Sequence, residues 1–333
     1  MSTDEKIEPP SVNDDSKATA ATQGMNIVAR TQGQLVRRRF FRHRGAMIAM
    51  TVLILVILLA YTSIGFAGIP GWWIWDYYTP GLVVNRGAPT LSVWPEFLGG
   101  NGFHIGLHPF GQDDLGRDYF ALTMRGAQIS IMIAFVVGIV STVIGVIVGA
   151  LAGYYRGWVE SALMRFTDVI ITIPLLVIAA VLGQKFGGSG PLVLAIVIGL
   201  VLWTGLARLV RGEFLSLREK EFVEAARALG AKPNRIIFRH ILPNTVGVIT
   251  VSATLAVASA ILLETALSYL GFGVRPPDTS LGLLVSNYQN AFATRPWLFW
   301  WPGLFIITIA LTVNFIGDGL RDAFDPRQNR VRA

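Results

Sequence analysis

The sequence predicts an all-α integral membrane protein with six transmembrane helices and both termini in the cytoplasm. Three observations predict it. The chain is 53% hydrophobic and only 15% charged, with a mean hydropathy of +0.54, whereas a soluble domain is about a quarter charged. Six stretches are long and apolar enough to cross the hydrocarbon core, which takes roughly 20 residues of helix. The basic residues divide unevenly between the loops, with 22 of the 28 Lys and Arg falling on the side that holds both termini. Basic loops stay in the cytoplasm.

The elements follow in order. Residues 1–36 are polar and read as a disordered cytoplasmic tail, too long and too acidic at its start for a cleaved signal. Residues 37–67 hold a basic lead-in, Arg37, Arg38, Arg39, Arg42 and Arg44, and the first span at 46–66. Such a cluster stops translocation and suits anionic lipid. An extracytoplasmic loop occupies 68–128. The second span is 129–152. The third is centred on 169–182 and starts near Met164, with Arg165 and Asp168 snorkelling and paired locally. The fourth is 191–207, the fifth begins after Asn244 and reaches about Leu270, and the sixth is 297–316. Residues 129–327 thus form a five-helix core with a cytoplasmic loop at 208–244, and 328–333 form a tail. Trp72, Trp73, Trp75, Trp297, Trp300 and Trp301 fall at the outer ends of spans, where indole rings prefer the interface.

Several chemistries are excluded. Cysteine is absent, so disulfides, thiolate metal sites and cysteine nucleophiles are absent too. No Gly is followed by Lys, so no phosphate-binding loop of the Gly-x-x-x-x-Gly-Lys type exists, and the chain should not hydrolyse ATP alone. His104 and His108 lie near Asp113 and Asp114, but a polar loop holding its own turns explains them without a metal. No span carries paired carboxylates, a Ser/His/Asp set or a charge series for proton or voltage work. The net charge of +7 reflects basic loops rather than nucleic acid.

One loop departs from the rest. No Gly or Pro interrupts 213–229. Phe222, Ala225, Ala226 and Leu229 recur at i, i+3, i+4 and i+7, one helical face, with Val223, Glu224 and Arg227 around it. Gly230 is a helix stop. Pro233 suits the first turn of a second helix, whose apolar side is Ile236, Ile237 and Ile241. Leu242-Pro243-Asn244 should break that helix before the fifth span. An amphipathic pair on the bilayer surface is one reading. A slim face of small residues with flanking charges suits a protein groove better.

Glu224-Ala225-Ala226, with Gly230, Ile236, His240 and Leu242-Pro243-Asn244, resembles the Glu-Ala-Ala loop of ABC importer permeases. His108-Pro109-Phe110-Gly111-Gln112-Asp113-Asp114-Leu115-Gly116-Arg117-Asp118 is similar to the segment ahead of the second span in the dipeptide/oligopeptide/nickel branch. Gln112 stands where that branch usually has Thr. Glu264-Thr265-Ala266-Leu267-Ser268-Tyr269-Leu270-Gly271-Phe272-Gly273 with Pro276-Pro277, and Gly317-Asp318-Gly319-Leu320-Arg321-Asp322 with Asp325-Pro326-Arg327, are similar to the same branch. The basic lead-in is like the start of its C-type member.

The resemblance implies a type I ABC importer permease fold, with the first span wrapped outside a five-helix core, in the cytoplasmic membrane of a prokaryote. It implies a second homologous permease, two ATPase subunits that carry the ATP and Mg and meet the 222–244 loop, and an extracytoplasmic substrate-binding protein. The surrounding lipid is the remaining partner, and no cofactor belongs to this chain. Peptides are the expected cargo, with nickel or another small solute as the alternative. A self-contained channel or secondary transporter, or a scaffold without transport, is a further class. Glu264, the ionisable residue well inside a span, is a candidate for the translocation path or gate, or else a polar anchor to the outer loop. Asp113, Asp114, Gly116, Arg117 and Asp118 read as an ion-paired cap on the second span. Gly145, Gly149 and Gly153 leave a groove for a neighbouring helix.

Overall fold

The computed structural model describes residues 32–92 and 102–325. The expected tails therefore lie outside the described residues, except that 32–36 open helix α1 (Gln32–Arg42). Helix α2 (Arg44–Ser63) follows at a corner where His43 has extended backbone and its ring accepts the Ala46 amide at 3.0 Å. A small antiparallel pair, β1 (Gly65–Phe66) and β2 (Ile69–Pro70), turns the chain into the outer loop. Then come α3 (Tyr119–Tyr155), α4 (Gly157–Thr172), α5 (Leu175–Phe186), α6 (Pro191–Leu202), α7 (Thr204–Arg218), α8 (Glu221–Ala228), α9 (Pro233–Tyr269), α10 (Leu281–Tyr288) and α11 (Trp297–Phe324).

Helices α2, α3, α9 and α11 are each long and apolar enough to cross a membrane, and the bent pairs α4–α5 and α6–α7 raise the number to six when each pair is one span. Most spans differ from the sequence reading: the fourth, expected at 191–207, ends at Leu202 and bends by 44° into α7, and the sixth, expected to end at 316, runs on to Phe324. The second is not 129–152 but a 37-residue helix, roughly 55 Å long at 1.5 Å per residue, so it projects well beyond the hydrocarbon. The third is not one helix from Met164: α4 and the segment after it meet at 83°. Pro174 explains the break, because it lacks an amide donor and forces Ile173 into an extended conformation (ψ 128°). The fifth does not start after Asn244. Pro233 already begins it, and Leu242-Pro243-Asn244 lies inside a continuous helix. Residues Ile236–Ile241 wind as a π-helix, with the Leu242 amide reaching the Ile237 carbonyl. The wider turn accommodates a proline ring that a regular α-turn would reject.

The core is built around α3, which packs against α6, α7 and α9, while α11 packs against α9 and α2. Tyr119, Met124, Ile133, Ile198, Ile261 and Leu298 are among its fully buried side chains. Helix α2 leans on α3 and α11 and leaves Ile48, Ile54, Leu55 and Leu58 exposed on its other side. Side chains at the glycine ladder of α3 would collide with α7. A Cβ at Gly149 would lie 2.5 Å from the Ala207 carbonyl oxygen, and one at Gly153 would lie 2.5 Å from Phe214 Cβ. Backbone contact at these glycines seats α7 and, beyond it, the 219–244 loop.

Candidate functional site

Helix α8 is shorter than the uninterrupted run 213–229 suggested, because the chain breaks at Glu219 and Lys220 before Glu221. Glu221 and Glu224 lie in its first turn and Arg227 in its last, each of the sign the helix dipole favours there. Gly230 closes it at φ 77°, with the Ala231 amide on the Ala226 carbonyl at 3.1 Å and the Gly230 amide on Arg227 at 2.9 Å. That pattern caps a helix end and favours glycine.

Of the expected four-residue face, three residues stay exposed and Ala226 is buried, beside Val223 from outside that face. Val223 and Ala226 turn inward, where Val223 joins Phe214, Ile236, Ile237 and Ile241 in a small apolar cluster separate from the main core. Phe222, Ala225 and Leu229 turn outward, with Leu229 88% and Phe222 42% exposed. They line an open cleft of about 730 Å³ with Lys232, Arg235 and His240. Glu224 and Arg227 are exposed beside it, as are Pro243 and Asn244 further along. The Asn244 amide donates to the His240 carbonyl at 2.6 Å, holding that turn. Lys232 and Arg235 were not singled out from sequence; two cations just after a helix-stopping glycine were the signal.

Charge pairs tie this region to α4. The Arg211 guanidinium donates to Glu160 (Nε to Oε1, 2.7 Å), Arg208 pairs with Asp168, and Arg156 meets Glu219 at 2.7 Å. Asp168 thus pairs across helices and not with Arg165, because α4 packs against α7, which carries Arg208.

At the opposite end, the 112–118 segment caps α3. Asp113 accepts the Leu115 and Arg117 amides at 2.9 and 2.8 Å, the Arg117 Nε–H at 2.6 Å and the Tyr288 hydroxyl at 3.1 Å. Asp118 accepts the Ala121 amide at 2.7 Å and Trp73 Nε1–H at 3.0 Å, and its other oxygen lies 2.7 Å from His108 Nδ1. Burial pushes the Asp118 carboxyl above the usual range, although His108, the Ala121 amide and Trp73 all pull it down. Burial also raises the Tyr288 phenol, with the nearby Asp113 charge adding to the effect. His108 is therefore committed to a carboxylate of the cap. Asp114 pairs with Arg295 on the 289–296 turn. Gly116 has φ 74° and passes close to Gly81. Gln112 fastens the outer loop: it accepts the Val84 amide at 2.8 Å and donates to the Leu82 and Gly116 carbonyls at 3.0 and 2.9 Å.

Glu264 is fully enclosed, at 0% exposure. Ser268 Oγ donates to its Oε1 at 2.7 Å and Ser130 Oγ to its Oε2 at 3.2 Å, and Ser280 Oγ lies 3.3 Å from Ser268 Oγ. The same hydroxyls accept backbone amides: Ser130 from Leu281, Ser268 from Val274 and Ser280 from Leu283. The carboxylate thus joins α3, α9 and the start of α10. Ser268 lies four residues on along the same helix, whereas Ser130 comes from a distant part of the chain and carries no sequence signature.

Residues 145–330 match the family described as binding-protein-dependent transport system inner membrane component. Residues 31–84 match the N-terminal TM domain of oligopeptide transport permease C. The oligopeptide transport system permease protein OppC of Escherichia coli is 37% identical over 306 residues, covering 92% of this chain and 95% of that protein. OppC of Haemophilus influenzae is 36% identical, covering 91% of each. OppC of Mycobacterium tuberculosis is 35% identical, covering 90% of this chain and 96% of that one. Among solved structures, a chain of the MetNI methionine ABC transporter in an inward-facing conformation is similar over 61% of this chain and 96% of its own, at 22% identity and a TM-score of 0.49. With more than half of its length matched by the family pattern and relatives above 30% identity along nearly all of it, the chain belongs to the binding-protein-dependent transport system inner membrane components.

Proposed function

We propose that this chain is the permease subunit of an ATP-driven importer of peptides. It pairs with a second, homologous permease to form the pathway, two ATPase subunits dock in the cytoplasm, and an extracytoplasmic binding protein delivers the cargo. The names of relatives matched over nine-tenths of the chain support peptide cargo. The observation that carries the docking assignment is the cleft beside α8, where Phe222 and Leu229 stand exposed among Lys232 and Arg235. An apolar anchor with a charged rim fits a groove in another protein. The positive-inside count supports cytoplasmic termini.

Coupling then follows from packing. ATP binds and is hydrolysed on the partners, and this chain receives motion. A shift of α8 is passed through Val223 to Ile236, Ile237 and Ile241, which belong to α9. The ATPases move the equilibrium between inward and outward openings only through their different affinity for the two states. Glu264 is assigned to positioning the outer end of α9 against α10, so that its part in the gate is indirect.

Two substitutions test the docking assignment. Glu224→Lys reverses an exposed charge in the first turn of α8. It should reduce ATPase retention and cargo-stimulated ATP hydrolysis by about tenfold while the spans remain folded. Gly230→Val forces a left-handed conformation on a branched residue, at roughly 1–2 kcal/mol, and should act in the same direction. Assembly and uptake at wild-type levels in both variants would remove α8 from the ATPase contact.

A further inference from the structure

Helix α1 has two faces. Leu35, Val36, Arg39 and Phe40 are half-buried against α11, and Arg39 donates to the Asp325 carbonyl at 3.0 Å. Phe40 packs at Gly319 of α11. The opposite face holds Gln34, Arg37, Arg38 and Phe41, at i, i+3, i+4 and i+7, around an open cleft of about 500 Å³. Phe41 is 55% exposed. Arg42 and Arg44 are exposed at the corner below. Among the described residues, Arg37, Arg38, Arg42 and Arg44 have no carboxylate partner, whereas Arg117, Arg156, Arg208, Arg211 and Arg295 all do.

The position of this face says what fits it. Arg44 is the first residue of α2, whose Ile48, Ile54, Leu55 and Leu58 are exposed apolar side chains on a membrane-crossing helix. These guanidinium groups, without a carboxylate partner among the described residues, therefore stand where the membrane-crossing helix begins and hydrocarbon gives way to headgroups. Guanidinium binds phosphate oxygens in a bidentate manner and is only weakly hydrated. An aromatic ring prefers the same interfacial depth. A face made only for water has no use for Phe41, and one made only for hydrocarbon would not carry Arg37 and Arg38, with Arg42 and Arg44 just below, without a carboxylate among the described residues.

We infer that the outer face of α1 binds the phosphodiester headgroup of an anionic phospholipid, with Arg37 and Arg38 on the phosphate and the Phe41 ring beside the glycerol backbone. This lipid fastens the start of the chain to the leaflet next to α11. The assignment is independent of which solute is transported.

Native mass spectrometry of the full chain in mild detergent tests it, with phosphatidylglycerol and phosphatidylcholine titrated in turn. Phosphatidylglycerol should bind at least about tenfold more tightly, since each basic residue near the headgroups adds several-fold to the affinity. The pair Arg37→Gln with Arg38→Gln should abolish the preference, and Arg37→Lys with Arg38→Lys should keep part of it. Phe41→Ala should weaken both lipids while leaving their ratio intact. Equal affinity for the two lipids, or a preference unchanged in the double Gln variant, overturns the proposal. Displacement by millimolar inorganic phosphate at constant ionic strength would assign the face to free anions and also overturn it. The chain's own acidic residues Asp4, Glu5, Glu8, Asp14 and Asp15 are the rival occupant. Lipid preference that emerges only after deletion of residues 1–31 would award them the site.

Discussion

Asp118 serves three partners with one carboxylate: the α3 amide at Ala121, the Trp73 indole and the His108 ring. Removing it exposes each of those groups to a different loss. Asp118→Ala should cost about 1 kcal/mol for the cap and about 1–3 kcal/mol more for the buried donors left behind. A thermal melt of the detergent-purified chain should show the midpoint falling by several degrees, and an unchanged midpoint would mean that the cap is dispensable. Glu264 poses a sharper question. Its oxygens receive hydroxyls that themselves accept backbone amides, so the donors run in one direction toward it. Glu264→Gln keeps the shape but replaces one acceptor by a donor. The structure should persist with transport or its coupling to ATP hydrolysis altered. Glu264→Leu should also lower stability, because the Ser130 and Ser268 hydroxyls lose their acceptor. Uptake and ATPase rates equal to wild type in the Gln variant would reduce Glu264 to an anchor.

Between helices, the glycine ladder of α3 is the clearest fit of sequence to packing. Gly149→Leu has no space to occupy, since the Ala207 carbonyl and Val210 already fill it. It should push α7 outward and loosen the small apolar cluster on which α8 sits. Faster amide hydrogen exchange over α7 and α8, with exchange in α11 unchanged, is the expected result. Exchange spread evenly over the chain would instead indicate global destabilisation. This ladder was legible in sequence because it is a local repeat, as were the apolar runs and the Gly230 cap. The bend after Thr172 was written in Pro174, but its 83° comes from tertiary packing. The fate of Leu242-Pro243-Asn244 was misread, since proline breaks an α-helix but is tolerated where the winding opens into a π turn. Of the partners of Glu264, Ser268 stands one helical turn on and was within local reach, but Ser130 lies 134 residues away in sequence, and nothing local ties two such positions.

For the molecule as a whole, orientation is the property on which the functional reading depends most. The chain contains no cysteine, so single cysteines can be added without background. Leu229→Cys should react with a membrane-impermeant maleimide only from the cytoplasmic side, and Leu82→Cys, at an 89% exposed position, only from the other. Labelling from the same side would invert or discard the topology. The two ends differ in how they are joined. The end that holds the Asp113 and Asp118 cap is a mesh of buried hydrogen bonds among α3, α10 and the segments 81–92 and 102–118, and the end that holds α8 rests on one small apolar cluster and a few ion pairs. Between them runs α9, and the π turn at Ile236–Ile241 gives that helix a clock setting. Each residue advances an α-helix by about 100°, and a π turn holds roughly one residue more than an α-turn. Because the extra residue is taken up inside the wider turn, the Ile236 end and the Glu264 end keep the angular register of an α-helix one residue shorter. What links the cleft beside α8 to the hydrogen-bonded mesh is therefore a single helix whose register survives an added residue because the π turn takes it up.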